Sequence, residues 1–279
     1  MRVETLGDGE PEIAIVGGIH GDEPCGPVAI ESILDERPEL KRPVKLIVAN
    51  EKALSRGIRY VDEDLNRALP GDPNAETHEG RLAHKLHGEI RDCEVLSLHS
   101  TQSYAAPFAL VDELDGQARS ICPYLSIEAL VETAEYSDGR LIAFPDVIEV
   151  ECGLQRSVSA TENAKTLVRE FLVAVGAIPA ENPPRYHPLP VFRLDQQIPK
   201  RSADRYEVFV ENFERVAEGE TFAAIDGEPL IAESPFYPIL LSAYGYRNVF
   251  GYAGTLVGRL DGDGSGAAES SIRAKHGTR

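Results

Sequence analysis

An α/β fold with a smaller β-rich unit at its C-terminal end is predicted by three features of this 279-residue sequence. Short apolar runs alternate with helical patterns through the first half, the signature of a sheet with helices on its faces. Four prolines within residues 181–190 (ENPPRYHPLP) then stop regular structure and mark a linker. Beyond them, apolar and polar residues alternate without helical period, which predicts strands.

The elements follow in order. Residues 12–20 (EIAIVGGIH) predict a buried strand running into a Gly-rich turn, and 24–40 (PCGPVAIESILDERPEL) a helix with Pro24 suited to its first turn. VKLIVAN (44–50) predicts a second strand. Leu82, Leu86 and Ile90 recur at fourfold spacing and predict an amphipathic helix over 75–91. EVLSLHS (94–100), FALV and VIEVECG (147–153) predict further strands, with a helical stretch before the last and a long helix, TENAKTLVREFLVAVGA, after it. VFRLDQQI, RYEVFVENF, TFAAIDGEPLIA and FGYAGTLVG supply the β-rich unit, placed at 184–260 after a first domain over 1–183. The tail 261–279, Gly-, Ser- and charge-rich, is expected to be disordered.

Composition excludes several function classes. Twenty-eight Lys and Arg against 46 Asp and Glu leave a net charge of −18, whose field repels nucleic acid and anionic membranes. No segment approaches the ~20 consecutive apolar residues of a membrane span, and the acidic N-terminus does not resemble an export signal. The expectation is a cytoplasmic protein with neither nucleic acid nor membrane as partner. Four scattered cysteines without a CxxC pair predict reduced, buried thiols. Only seven of the 28 basic residues are Lys, so the surface is acid-rich and ammonium-poor. Screening in molar salt relieves the self-repulsion of such a surface, and the composition points to a halophilic source. Equal stability in dilute buffer and in molar salt would refute that expectation.

The first candidate chemistry lies in GGIHGDEPCG, where a strand ends at His20 and Glu23 follows three residues later, just before a helix. Zinc takes imidazole nitrogen and carboxylate oxygen, and catalytic sites use three protein ligands with one position open. His99 is the natural third ligand, because SLHST ends the third predicted strand and ligands of open α/β sheets come from strand C-termini. The structural alternative is a turn-capping His20, a surface Glu23 and a core His99. His84 and His87, three apart on the 75–91 helix, form with His78 a competing cluster, but they flank an apolar stripe and read as a solvated helix edge. His187 and His276 carry no assignment.

The second signal is RGIRYVDEDLNRALPG (56–71), an arginine-dense loop in a chain poor in positive charge. Arg59 and Arg67 can act as a guanidinium pair, one clamping a substrate carboxylate and the other aimed at a reacting carbonyl. The alternative is a surface loop with its arginines paired to Asp62, Glu63 and Asp64. Third, strict alternation in VIEVECG puts Glu149 and Glu151 on one strand face, opposite Ile148, Val150 and Cys152. Buried carboxylates are costly unless paired or working, and one beside a zinc-bound water could serve as general base and then acid; the alternative is an edge strand with one wet face.

Together, His20-Gly21-Asp22-Glu23, Arg59 through Arg67, Leu98-His99-Ser100-Thr101 and Glu151-Cys152-Gly153, in that order, resemble the motifs of the succinylglutamate desuccinylase and aspartoacylase family, a branch of the zinc carboxypeptidase-like amidohydrolases. The resemblance covers about residues 10–180 and, more loosely, the β-rich unit. It implies a three-layer α/β/α catalytic domain with a mixed sheet. It also implies one zinc ion per chain on His20, Glu23 and His99, with Glu151 as catalytic carboxylate and Arg59 polarising the carbonyl. Asn66 and Arg67 would then grip a substrate carboxylate, Asp64 would support the loop, and Tyr237, Tyr244 or Tyr246 would touch the substrate. The implied reaction is zinc-dependent hydrolysis of a small anionic N-acyl amino acid, of N-succinyl or N-acetyl type. The rival readings are a zinc carboxypeptidase acting on peptides and a non-catalytic zinc-binding protein of the same fold. The 76-residue interval from Glu23 to His99 is shorter than such peptidases show, and an intact Glu151 and Arg59 speak against a mere binder.

Overall fold

The computed structural model describes residues 1–180 and 185–261. The expected boundary at 183/184, and the expected tail apart from Asp261, lie outside those residues.

Ten strands form one mixed sheet: β1 (Arg2–Leu6), β2 (Ile13–Gly17), β3 (Val44–Val48), β4 (Glu94–Thr101), β5 (Phe108–Val111), β6 (Leu130–Glu132), β7 (Val147–Leu154), β8 (Leu189–Pro199), β12 (Tyr237–Ile239) and β13 (Val249–Leu260). Their order is β1-β3-β2-β4-β7-β5-β6-β8-β13-β12. A second, antiparallel sheet holds β9 (Tyr206–Val208), β10 (Thr221–Ile225) and β11 (Glu228–Ile231). The helices are α1 (Cys25–Glu36), α2 (Glu51–Leu54), α3 (His78–Ile90), α4 (Gly116–Ile121) and α5 (Val158–Ala174). None is long and apolar enough to cross a membrane.

The expected layer order arises from strand periodicity. Along β2, Ile13 and Ile15 join the apolar cluster under α1 and α5, while Ala14 and Val16 join the cluster under α3. Successive side chains of a strand point to opposite faces, so one five-residue run feeds both layers. On α3, Leu82, Leu86 and Ile90 form the predicted buried stripe, and Thr77 caps the helix by accepting from the Gly80 amide at 3.1 Å. α5 begins three residues before the predicted start because Ser157 caps it, accepting from the Ala160 amide at 3.0 Å. The central strands β3, β2, β4 and β7 run parallel, which brings their C-terminal ends to one edge.

β1, β6 and β12 were not predicted. β6 and β12 have three residues each, too few for a period to show, and β1 is a half-exposed edge strand paired antiparallel to β3. The helical stretch expected before β7 resolves into α4 and three 3₁₀ turns. β8 and β13 continue the large sheet through the parallel pairing of β6 with β8, so the C-terminal segment serves both sheets.

Candidate active site

The cleft opens where β2, β4 and β7 end. Two glycine contacts shape its entry. A Cβ on Gly17 would lie 2.6 Å from the Gly26 carbonyl carbon, so α1 starts directly against the end of β2. A Cβ on Gly21 would lie 2.1 Å from the Ala53 carbonyl carbon, and the Gly21 amide donates to the Arg59 carbonyl at 3.1 Å. The His-Gly-Asp-Glu turn is thereby pressed onto α2 and tied to the arginine loop.

His20, Glu23 and His99 converge, each presenting a ligand atom within 4.8 Å of the others, and each is at most 4% exposed. Glu23 bridges the two imidazoles: Oε1 lies 2.9 Å from His20 Nδ1 and Oε2 lies 3.1 Å from His99 Nδ1. Glu23 Oε2 also accepts from the Ser100 amide at 3.2 Å. On the far sides of the rings, His20 Nε2 is 3.0 Å from Asp64 Oδ1, and His99 Nε2 is 3.2 Å from Ser97 Oγ and 3.8 Å from Glu149 Oε1. Glu151, paired in register with His99, lines the same cleft, and its buried Oε2 has no hydrogen-bond partner among the described residues.

The electrostatics reflect too many carboxylates for two imidazoles. Burial alone would push the His99 pKa down, but Glu149, Glu23 and Glu151 override it and raise the ring to about 10. His20 is raised in the same way, with Glu23 and Asp64 outweighing burial. Burial would raise Glu23, yet His20 and His99 hold it well below the usual carboxylate range. Glu151 is pushed up to about 7, first by burial and then by Glu23 and Glu149, against the lowering effect of His99. A buried cluster of this sign calls for a cation, and two nitrogens with one carboxylate oxygen match the donors zinc takes.

Arg59 donates through Nε to Asp64 Oδ2 at 3.1 Å and through Nη1 to Glu23 Oε1 at 3.2 Å. Of the three acids expected to be its alternative partners, only Asp64 holds it. Asp62 instead accepts from the His78 amide, and Glu63 accepts from Thr77 Oγ1. Arg67 lines the cleft and donates to the Asn66 carbonyl at 2.6 Å. The Asn66 amide spans the Leu141 N–H (2.8 Å) and Glu149 Oε1 (3.2 Å).

Glu79, which the sequence did not single out, holds this loop in place. It is fully buried in the first turn of α3 and accepts from the amides of Val61 at 2.7 Å and Asp62 at 3.0 Å and from Asn50 Nδ2 at 2.9 Å. Burial acts to raise its pKa, and these hydrogen bonds more than reverse that. Glu79→Ala leaves those donors unpaired, and the expected cost is about 3 kcal/mol of stability by thermal unfolding. A loss below about 1 kcal/mol would show that water replaces the carboxylate.

One further cleft residue, Arg140, escaped sequence reasoning. Arg140 is buried beside Arg67, with Nη2 donating to the Tyr252 hydroxyl at 2.8 Å. It sits in an irregular stretch between 3₁₀ turns, where no pattern marks it. Of the three tyrosines left open, Tyr246 lines the cleft, whereas Tyr237 packs against Phe192 and Tyr244 is exposed. Its loop is clamped by Lys200, whose ammonium donates to the carbonyls of Ala243 (2.5 Å) and Tyr246 (2.8 Å). The competing helix histidines gather no ligand set among the described residues, and His87 stacks on Phe144 at 4.5 Å. All four cysteines are buried free thiols, as expected.

A layered α/β/α sheet that delivers a buried His–Glu–His centre to an arginine-lined cleft at its strand C-termini defines the class. Residues 9–167 match the model of the succinylglutamate desuccinylase/aspartoacylase catalytic domain, and the chain belongs to that family. Among curated relatives, it is 30% identical over 135 residues to an N-acyl-aromatic-L-amino acid amidohydrolase (carboxylate-forming) of Rattus norvegicus, covering 42% of each chain. It is 28% identical over 127 residues to a probable aspartoacylase of Nostoc sp., covering 41% of this chain and 43% of that one. The chain thus spans under half the length of these relatives. Among solved structures, the fold is similar to the ectoine utilization protein EutE (DoeB) of Ruegeria pomeroyi, with TM-score 0.73, 18% identity and coverage of 91% and 87%. It is also similar to murine aminoacylase 3, with TM-score 0.67, 22% identity and coverage of 88% and 96%.

Proposed function

We propose that the protein is a zinc-dependent amidohydrolase cleaving a small, anionic N-acyl amino acid of N-succinyl or N-acetyl type to a carboxylate and a free amine. The observation that carries this is the meeting of three groups in one cleft: the His20–Glu23–His99 centre, Glu151 with one buried, unpaired oxygen, and Arg59.

A zinc ion held by those three side chains would supply Lewis acidity and bring the pKa of its water toward ~7. Glu151 takes the proton of the attacking water and delivers it to the leaving nitrogen; its unpaired Oε2 is the atom free to do so. Arg59 is locked by Asp64 and Glu23 through part of its five-donor fork, and the remaining N–H groups stabilise the oxyanion as it develops.

The cleft wall supports the substrate class. Arg140 is buried, and Arg67, more exposed, lines the cleft beside it. Burial, and then the charge of Arg140, lowers the pKa of Arg67, so the pair is relieved by an anion between them. Among the described residues, the only aliphatic side chains lining the cleft are Leu110 and Leu240, with the Tyr246 ring beside them, which leaves little apolar surface to bury an aromatic substrate. The selectivity of the aromatic-acting relatives is therefore not expected here.

A panel of N-acetyl and N-succinyl derivatives of aspartate, glutamate and phenylalanine, with a blocked dipeptide, tests the reading. Dicarboxylate derivatives should be turned over fastest. Arg67→Ala should raise KM for them about 10- to 100-fold with kcat little changed, as expected for one charge-assisted contact of roughly 1.5–3 kcal/mol. An unaltered KM removes Arg67 from recognition, preference for phenylalanine derivatives overturns the substrate class, and cleavage of the dipeptide alone favours a carboxypeptidase.

A further inference from the structure

Glu149 has no part in the reaction just described, yet it is 5% exposed and carries a full carboxylate into the sheet. The ladder explains its place. In the parallel pairing of β4 with β7, Ser97 faces Glu149 and His99 faces Glu151, so both acids stand on the side of His99 while Ile148, Val150 and Cys152 enter the opposite core. Its one direct hydrogen bond among the described residues is from the neutral Asn66 amide, at 3.2 Å. A buried carboxylate with a single neutral donor is costly, and a positively polarised partner is needed to hold it.

The two imidazoles of the centre are oriented alike. Each turns Nδ1 toward Glu23 and Nε2 toward an outer acid: Asp64 Oδ1 hydrogen-bonded at 3.0 Å for His20, and Glu149 Oε1 at ion-pair distance, 3.8 Å, for His99, whose Nε2 also meets the Ser97 hydroxyl at 3.2 Å. We propose that Glu149 is the positioning residue for His99: with Ser97 it keeps the proton on Nε2 and leaves Nδ1 free to bind the metal, and through Asn66 it ties that ligand to the arginine loop. This rests on the metal site proposed above. A ligating histidine that donates its other N–H to an acid is better oriented and more basic, and loss of such a partner typically weakens metal binding ~10- to 100-fold.

The test is zinc affinity, measured by competition with a chelating dye on the full chain. E149Q keeps the side-chain length and an acceptor for Asn66 and removes only the charge; it should bind zinc ~10- to 100-fold more weakly. E149D should recover part of that loss. Asn66→Ala, which deletes the neutral contact and spares the acid, should stay within a few-fold of wild type. Thermal unfolding of the metal-free variants separates a folding defect from a metal effect. If E149Q does not fold, Ser97→Ala carries the test, with several-fold weaker zinc binding expected from loss of the hydroxyl on the same nitrogen. Zinc affinity of E149Q equal to wild type, or an equal loss in Asn66→Ala, overturns the role. A wild-type chain that binds no zinc overturns the metal reading itself, and this role falls with it.

Discussion

Glu151→Gln is expected to lower kcat by about 10²- to 10⁴-fold, the usual worth of a positioned general base, while zinc content and thermal stability stay near wild type. The amide has the volume of the carboxylate but cannot accept a proton. Because Glu151 Oε2 has no hydrogen-bond partner, the substitution breaks no contact of that atom, and folding should tolerate it. Burial and the neighbouring Glu23 and Glu149 hold the carboxyl pKa high, so wild-type activity should fall as pH drops and the base becomes protonated. That acid limb should be missing from the residual rate of the variant. Steady-state kinetics across pH, alongside metal analysis, decide it: a kcat within tenfold of wild type assigns the proton transfer to another group.

Removal of the metal should have an equally large effect of a different kind. The centre gathers Glu23, Glu149, Glu151 and Asp64 around two imidazoles, and without a cation those rings must take up protons to balance the charge. A chelator should therefore abolish hydrolysis, with recovery on adding one equivalent of zinc. An ion held by His20, Glu23 and His99 would bind only the folded arrangement, because Glu23 and His99 lie far apart in an unfolded chain. At a thousandfold excess over Kd it should add about 4 kcal/mol of stability, or roughly 10 °C in Tm for a chain of this size. Full activity after chelation, or a Tm indifferent to zinc, would leave the His–Glu–His cluster without a metal role.

Much of the molecule was legible before folding. The strands and helices around the centre announce themselves because their apolar residues recur with periods of two and near four, and the two histidines that matter are those at predicted strand ends. Glu79 and Arg140 gave no such signal. One is a single acid in the first turn of a helix and the other a lone arginine between 3₁₀ turns, and only their neighbours distinguish them from surface charges. The tyrosines after residue 236 were equally indistinguishable, since whether a ring packs in the core, faces solvent or lines the cleft depends on the course of an irregular loop.

What the sequence determined by itself was therefore the local pattern and the inventory of reactive groups: a layered sheet, a His-Gly-Asp-Glu turn, an arginine loop, and two acids on one face of a strand. Tertiary structure decided which of those groups share an electrostatic environment. Only there does Glu23 bridge two imidazoles, Glu79 anchor the loop that carries Arg59, and Arg140 come to lie beside Arg67. The reason is range: periodicity is a property of neighbours in the chain, whereas burial and Coulomb interaction depend on distances in space that no local pattern encodes.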